Sequence, residues 1–180
     1  MKQSVMMPRF DAVRARIATD DDIAEITAIY GHYVLTGVAS FEIEPPDAVE
    51  MGRRRKDIVR RGLPYLVAEI EGKLAGYAYA SPYRVRAGYR FTVEDSVFVD
   101  REYTGRGIGG MLLGALIEAC RERDYRQMIA VIGGSDNAAS IRLHENFGFR
   151  HAGVLRSVGF KFGRWVDTVL MQRALGESEG

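Results

Sequence analysis

The feature that most limits the fold of this chain is a run of glycines set between a strand-like and a helix-like stretch. Tyr103-Thr-Gly-Arg-Gly-Ile-Gly-Gly brings Gly105, Gly107, Gly109 and Gly110 together. Before it, Phe91–Val99 reads as a strand. After it, Ile108, Met111, Leu112, Ala115, Leu116 and Ala119 recur at helical spacing, and the helix runs from about Gly107 to Arg123. A strand that passes through glycines into a helix leaves unpaired backbone N–H groups at the positive end of the helix dipole, and glycine lets an anion approach them. The segment suits a pyrophosphate, with Arg106 placed to add charge. It equally suits a tight turn with close helix–strand packing. A nucleotide P-loop does not fit, because Met111-Leu112 stands where Lys-Ser/Thr is required. A dinucleotide fold places its turn near the first strand of a parallel βαβ unit, whereas strands accumulate well before this one.

The rest of the chain reads as alternating elements. Val13–Ala18 is a strand; Thr19-Asp-Asp-Asp caps a helix carrying Ile23, Ile26, Ile29, Tyr30 and Tyr33, closed near Gly37. Pro45-Pro46 precedes a second helix, Asp47 to about Arg61. Leu63–Ile70 and Leu74–Ser81 form strands around Glu71-Gly72-Lys73, and Arg84–Arg90 is a loop. Gln127–Ile132 is a buried strand, Asn137–Phe147 a helix ending at Gly148, and Arg150–Phe160 and Arg164–Gln172 a final pair of strands turning at Gly163. The predicted class is α/β (α+β) with a mixed sheet, in one domain over residues 13–175, after a loose leader (1–12) and before a frayed end (176–180).

Composition removes several function classes. Hydrophobic residues make up 47% and charged residues 27% of the 180, with a net charge of +1, so no whole-molecule charge favours nucleic acid or an acidic membrane. Arg53-Arg54-Arg55-Lys56 is the one basic run; it lacks interleaved aromatics and reads as a solvated helix face beside Glu50 and Asp57. The leader reads as no signal peptide and no apolar run is of membrane-spanning length. The single cysteine, Cys120, permits no internal disulfide and reads as core filler. No metal-ligand cluster is expected.

Ser96-Val-Phe-Val, followed by Gly-Arg-Gly-Ile-Gly-Gly, resembles the acetyl-CoA motif of the GNAT superfamily of N-acetyltransferases. Gly107 and Gly109 match, while Thr104 stands where that motif usually has Arg or Gln. Asn137-Ala-Ala-Ser-Ile-Arg-Leu-His-Glu-Asn-Phe-Gly-Phe is similar to the superfamily's second cofactor segment. Thr92-Val-Glu-Asp-Ser-Val-Phe-Val, Ala130-Val-Ile-Gly, Arg142-Leu-His-Glu and Gly159-Phe-Lys-Phe-Gly-Arg-Trp-Val-Asp resemble the subgroup that acetylates phosphinothricin, methionine sulfone and methionine sulfoximine. The resemblance spans about Val13 to Leu175. It implies a GNAT fold with acetyl-CoA as cosubstrate, a cofactor cleft where the strand at Glu94–Val99 splays from Gln127–Ile132, and a homodimer; the missing signal and the need for acetyl-CoA point to the cytoplasm.

Candidate site residues follow. Strand alternation places Glu94 with Thr92 and Ser96, opposite Val93, Asp95 and Val97; the resemblance gives Glu94 the role of general base, directly or through water, with an ion pair to Arg84, Arg86 or Arg90 as the competing reading and Asp95, on the other face, as the local rival. It also implies that Val97, Phe98 and Val99 pair with the pantetheine arm, that a backbone N–H near Val97 or Phe98 meets the acetyl oxygen, and that Gly105, Arg106, Gly107, Ile108, Gly109 and Gly110 hold the pyrophosphate. Asn137 caps its helix and, by resemblance, contacts the cofactor arm; Ser140 is a weaker candidate. His144, where the wider superfamily has Tyr and the subgroup His, is either structural on its helix or placed near the thiol, to protonate the departing thiolate or to orient Glu94. Arg84 and Arg86 suit a substrate carboxylate or the organisation of their loop. Tyr33, Phe41 and Trp165 are candidate walls of the substrate pocket, with plain core or dimer contact as the competing reading. The implied reaction is direct acetyl transfer to a small amino acid-like amine. Another small amine or a protein N-terminus is the alternative acceptor, and a non-catalytic acyl-CoA sensor the alternative class.

Overall fold

The computed structural model describes residues 13–176. The leader, and all of the expected frayed end except Gly176, lie outside the described residues. One seven-stranded sheet has the order β1-β2-β3-β4-β5-β7-β6. Its strands are β1 (Arg14–Ile17), β2 (Tyr65–Ile70), β3 (Lys73–Pro82), β4 (Thr92–Val99), β5 (Gln127–Gly133), β6 (Arg150–Lys161) and β7 (Arg164–Ala174). The helices are α1 (Ile23–Thr36), α2 (Ala48–Arg60), α3 (Ile108–Arg121) and α4 (Ala138–Asn146). Every neighbouring pair is antiparallel except β4 with β5. This is the mixed sheet expected, with the expected elements in the expected order.

Each helix starts where local chemistry allows. Asp47 caps α2 by accepting the Glu50 N–H at 2.8 Å, and Asn137 caps α4 by accepting the Ser140 N–H at 3.2 Å. The basic run on α2 is consumed by acids. Arg53 pairs with Glu50 and Asp57, Arg54 with Glu42 and Glu50, and Arg55 with Asp20.

Two cores lie on the two faces of the sheet. Leu112, Leu113, Leu116, Ile117 and Cys120 of α3 pack on Val93, Met128 and Ala130. On the other face, Ile26, Ile29, Tyr30 and Val34 of α1 and Met51 of α2 pack on Tyr65, Tyr77 and Phe98. The alternation of β4 divides its side chains between these cores: Val93, Asp95, Val97 and Val99 face α3, while Glu94, Ser96 and Phe98 face α1.

The one parallel junction positions the site. β4 and β5 pair only from Thr92↔Gln127 to Asp95↔Ala130, although both strands continue. Beyond Asp95 they part, as the splaying expectation requires. Strands that diverge leave backbone polar groups facing a gap, and such groups need a partner.

Candidate acetyltransferase site

The parted strands open into a cavity of about 650 Å3. Its wall combines three groups of residues. Val97, Phe98 and Val99 come from β4; Thr104, Gly105, Gly107, Ile108, Gly109 and Gly110 from the glycine turn; Asn137, Ser140 and His144 from α4. Glu94, Asp95 and Tyr33 also border it.

The turn is shaped for an anion. Gly105 (φ +74) and Gly107 (φ +80) adopt left-handed backbone, and a Cβ at either would touch nothing within 4 Å. The first bond inside α3 runs from the Met111 N–H to the Gly107 carbonyl at 3.1 Å. The N–H groups of Ile108, Gly109 and Gly110 precede that bond and have no acceptor in the helix. Gly109 and Gly110 are small for a second reason. A Cβ at Gly109 would meet Leu143 at 3.4 Å and one at Gly110 would meet Phe147 at 3.4 Å, so these glycines also let α4 dock on α3. Thr104 donates to the Arg101 carbonyl at 3.1 Å, so its hydroxyl closes the preceding turn. Arg106 does not border the cavity; its guanidinium lies 5.3 Å over the Tyr103 ring. The residues present therefore fit a pyrophosphate held mainly by backbone N–H groups.

On β4, Glu94 is half-buried. Its pKa is raised by desolvation and by the neighbouring Asp95 charge, and lowered by Arg84. No hydrogen bond from a described residue restrains its carboxyl. His144 does not orient Glu94, contrary to one expectation. It sits on the opposite face, with Nε2 3.0 Å from Asp95 Oδ2 and Nδ1 2.7 Å from the Ser140 carbonyl. Burial alone would lower the His144 pKa, but the Asp95 carboxylate outweighs it and the net direction is up. The Asn137 side chain is spent on local bonds, accepting the Ser140 N–H and donating to the Gly133 carbonyl at 3.4 Å.

The acceptor end departs from expectation in part. Tyr33 is on the wall, its hydroxyl donating to the Val99 carbonyl at 2.7 Å. Phe41 is not. It fills the space over Gly133 and Gly159, where a Cβ on Gly159 would collide with its ring. Trp165 is also off the wall: β7 carries it on the outer hairpin, 65% exposed and edge-on to Phe160 at 5.1 Å. Arg84 and Arg86 lie in the exposed β3–β4 loop outside the lining. Arg84 rests 4.9 Å over Tyr83, and neither is paired with a carboxylate among the described residues.

Several wall residues escaped the sequence reading. Tyr30 and Tyr79 border the cavity, as do Ala39 and Ser40 from the α1–α2 loop. Alternation on β3 was a usable signal for Tyr79, since Tyr77 and Tyr79 share a face. The loop's position had no such signal. It is tied down by buried Lys161, whose Nζ donates to the carbonyls of Gly37 (2.9 Å) and Ser40 (2.6 Å). Among the described residues, no group of three or more His, Cys, Asp or Glu is arranged to hold a metal, and no helix is long and apolar enough to cross a membrane.

Known proteins resemble this chain in sequence and fold. Residues 26–149 match the model of the acetyltransferase (GNAT) family. The chain is 55% identical to a phosphinothricin N-acetyltransferase of Alcaligenes faecalis, over 93% of this chain and 85% of that protein. It is 40% identical to an L-methionine sulfoximine/L-methionine sulfone acetyltransferase of Salmonella typhimurium, over 90% of this chain and 94% of that one. The crystal structure of a phosphinothricin acetyltransferase from Sinorhizobium meliloti in complex with AcCoA superimposes with a TM-score of 0.90 at 47% identity, covering 93% of this chain and 90% of that chain. These relatives are named acetyltransferases, which sets aside the non-catalytic sensor reading. A cleft at the one parallel junction, a backbone-lined anion turn and relatives that share nearly the whole chain converge: the protein belongs to the GNAT family, in the phosphinothricin and methionine sulfoximine–sulfone acetyltransferase subgroup, and is an acetyl-CoA-dependent N-acetyltransferase acting on a small amine.

Proposed function

We propose that the acceptor is a small amino acid-like amine with a free acidic group, of the phosphinothricin, methionine sulfone or methionine sulfoximine kind, and that Glu94 is the general base. The observation that carries this is Glu94 itself: a half-buried carboxyl on the cavity wall, with no hydrogen bond from a described residue, one residue before β4 and β5 part. An amino acid's ammonium must lose a proton before its nitrogen can attack. A carboxylate whose pKa is raised is a stronger base than one in water.

Acetyl-CoA supplies the acetyl group as an activated thioester. Glycine-turn N–H groups hold its pyrophosphate, and Val97–Val99 align its arm with the open edge of β4. Glu94 takes the proton from the acceptor nitrogen as the N–C bond forms. A backbone N–H near Val97 or Phe98 stabilises charge on the acetyl oxygen. His144 gives a proton to the sulfur as the C–S bond breaks. Transfer is direct, without an acetyl-enzyme. Cys120 is buried against α3's core partners and its pKa is pushed up to about 12, which disqualifies it as a nucleophile.

Arg84 and Arg86 supply the acid-binding charge. Arg84 is close enough to act electrostatically on Glu94, which places a cation near the acceptor nitrogen's partner. The outer hairpin supports a homodimer: Val154, Leu155, Val158, Phe160 and Trp165 are all exposed along β6 and β7, apolar surface that a second copy could cover. A cytoplasmic setting fits the demand for acetyl-CoA and the unpaired thiol. No nucleic-acid or membrane role is proposed, since the basic run is neutralised within the fold.

Thiol release with a panel of amines tests the acceptor. Release with phosphinothricin, methionine sulfone or methionine sulfoximine is expected. Release only with amines lacking an acidic group, or only with a peptide N-terminus, would overturn the acceptor while leaving the enzyme class intact.

A further inference from the structure

His144 faces an acceptor at each ring nitrogen: the Ser140 carbonyl lies 2.7 Å from Nδ1 and Asp95 Oδ2 lies 3.0 Å from Nε2. A carbonyl can only accept, so Nδ1 carries a hydrogen. A second proton must lie between Nε2 and Oδ2, because otherwise a nitrogen lone pair would oppose a carboxylate oxygen at 3.0 Å. Together, then, His144 and Asp95 hold one proton more than a neutral imidazole beside a carboxylate. Their side chains are only 6% and 2% exposed, so that proton is kept from bulk water.

The location gives this proton a use. Asp95 is the last residue of β4 paired with β5, and both members of the pair border the cavity that Glu94 also borders. Asp95 Oδ1 is buried with no hydrogen-bond partner among the described residues. Here the missing donor leaves the imidazolium as the compensation for a buried charge, which favours keeping the proton on the pair. The groups around it agree. Glu94 adjoins Asp95 on β4, the Cys120 thiol of α3 feels Asp95, the Ser140 carbonyl belongs to His144's own helix, and Phe149 presents a ring edge at 5.0 Å.

We propose that Asp95 is a positioning residue for the transferase: it fixes the His144 ring and keeps on the pair the proton that passes to the departing sulfur. This rests on the reading of His144 as the acid. In the step, the electrons of the C–S bond go to sulfur, the proton of the Nε2–Oδ2 site joins them to give the free thiol, and a neutral imidazole remains beside the Asp95 carboxylate. The proton that Glu94 removed from the amine returns to solvent, and solvent recharges the pair once the products leave.

NMR titration of the imidazoles tests the link directly. The chain has 3 histidines, so His144→Gln assigns the signal. In the wild-type protein His144 should stay protonated to higher pH than an ordinary imidazole, because Asp95 favours its charged form. In Asp95→Asn its midpoint should fall by about one pH unit or more, because an amide N–H donated to Nε2 favours the neutral ring. The same variant should lose about 10-fold to 100-fold in kcat, move the alkaline limb of kcat to lower pH, and keep its acetyl-CoA Kd. Asp95→Asn/His144→Gln should be no slower than His144→Gln alone. Asp95→Ser takes the same readings if the amide does not fold. An unmoved His144 midpoint, or an added loss in the double variant, overturns the proposal and leaves His144 as the acid. Full turnover in His144→Gln overturns the acid reading and this proposal with it.

Discussion

Glu94 and Asp95 are neighbours in sequence and occupy opposite settings. The α1 face of β4 gives Glu94 an aromatic wall, an opening to the cavity and a nearby arginine, but no hydrogen-bond donor among the described residues. The α3 face gives Asp95 a buried imidazole and almost no water. The first carboxyl is left free to gain and lose a proton; the second is committed to a partner. The difference shows how one strand, by alternation alone, can assign two identical functional groups to different work. It also accounts for the place of both at the parallel junction, where β4 still has a neighbour to hold it but is about to lose one.

The largest effect should come from removing the free carboxyl. Glu94→Gln is expected to lower kcat by about 10²–10⁴-fold, the usual worth of a general base, with acetyl-CoA binding unchanged in calorimetry. Unchanged turnover would end the distinction between the two faces.

That distinction was half legible in the sequence. Alternation along Thr92–Val99 separated Glu94 from Asp95, and the glycines between strand and helix placed the anion turn, because both signals are local. The partner of Asp95 was not legible. His144 lies 49 residues away, and only the docking of α4 on α3 brings it to β4. Gly109 and Gly110 were read as ligand contacts, and their second duty against Leu143 and Phe147 depends on the same docking. Phe41 and Trp165 were placed by residue type; their true positions depend on Gly159 and on the outer hairpin, which no period in the sequence encodes.

A smaller effect should follow on the Glu94 side at the loop. Arg84→Ala should raise KM for an acidic acceptor by about tenfold or more, the worth of one charge-assisted hydrogen bond, and leave KM for a neutral amine unchanged. Equal changes for both acceptors would move Arg84 from binding to loop organisation. The smallest effect belongs to the Asp95 side. Cys120→Ala should cost about 1 kcal/mol in denaturant unfolding and leave turnover intact. A large loss of turnover would reopen a covalent route through that thiol.

The pH dependence of kcat with saturating amine and acetyl-CoA tests the role of Glu94 most directly. A base must be ionised to act, so rate is lost as pH falls through its pKa in the bound enzyme. Burial and the Asp95 charge raise that pKa, so the acid limb should lie above the ordinary glutamate value of about 4.3. Arg84→Ala should move the limb higher still, because Arg84 holds the pKa down. In Glu94→Gln the limb should vanish. An acid limb that persists unchanged in Glu94→Gln would contradict Glu94 as the base.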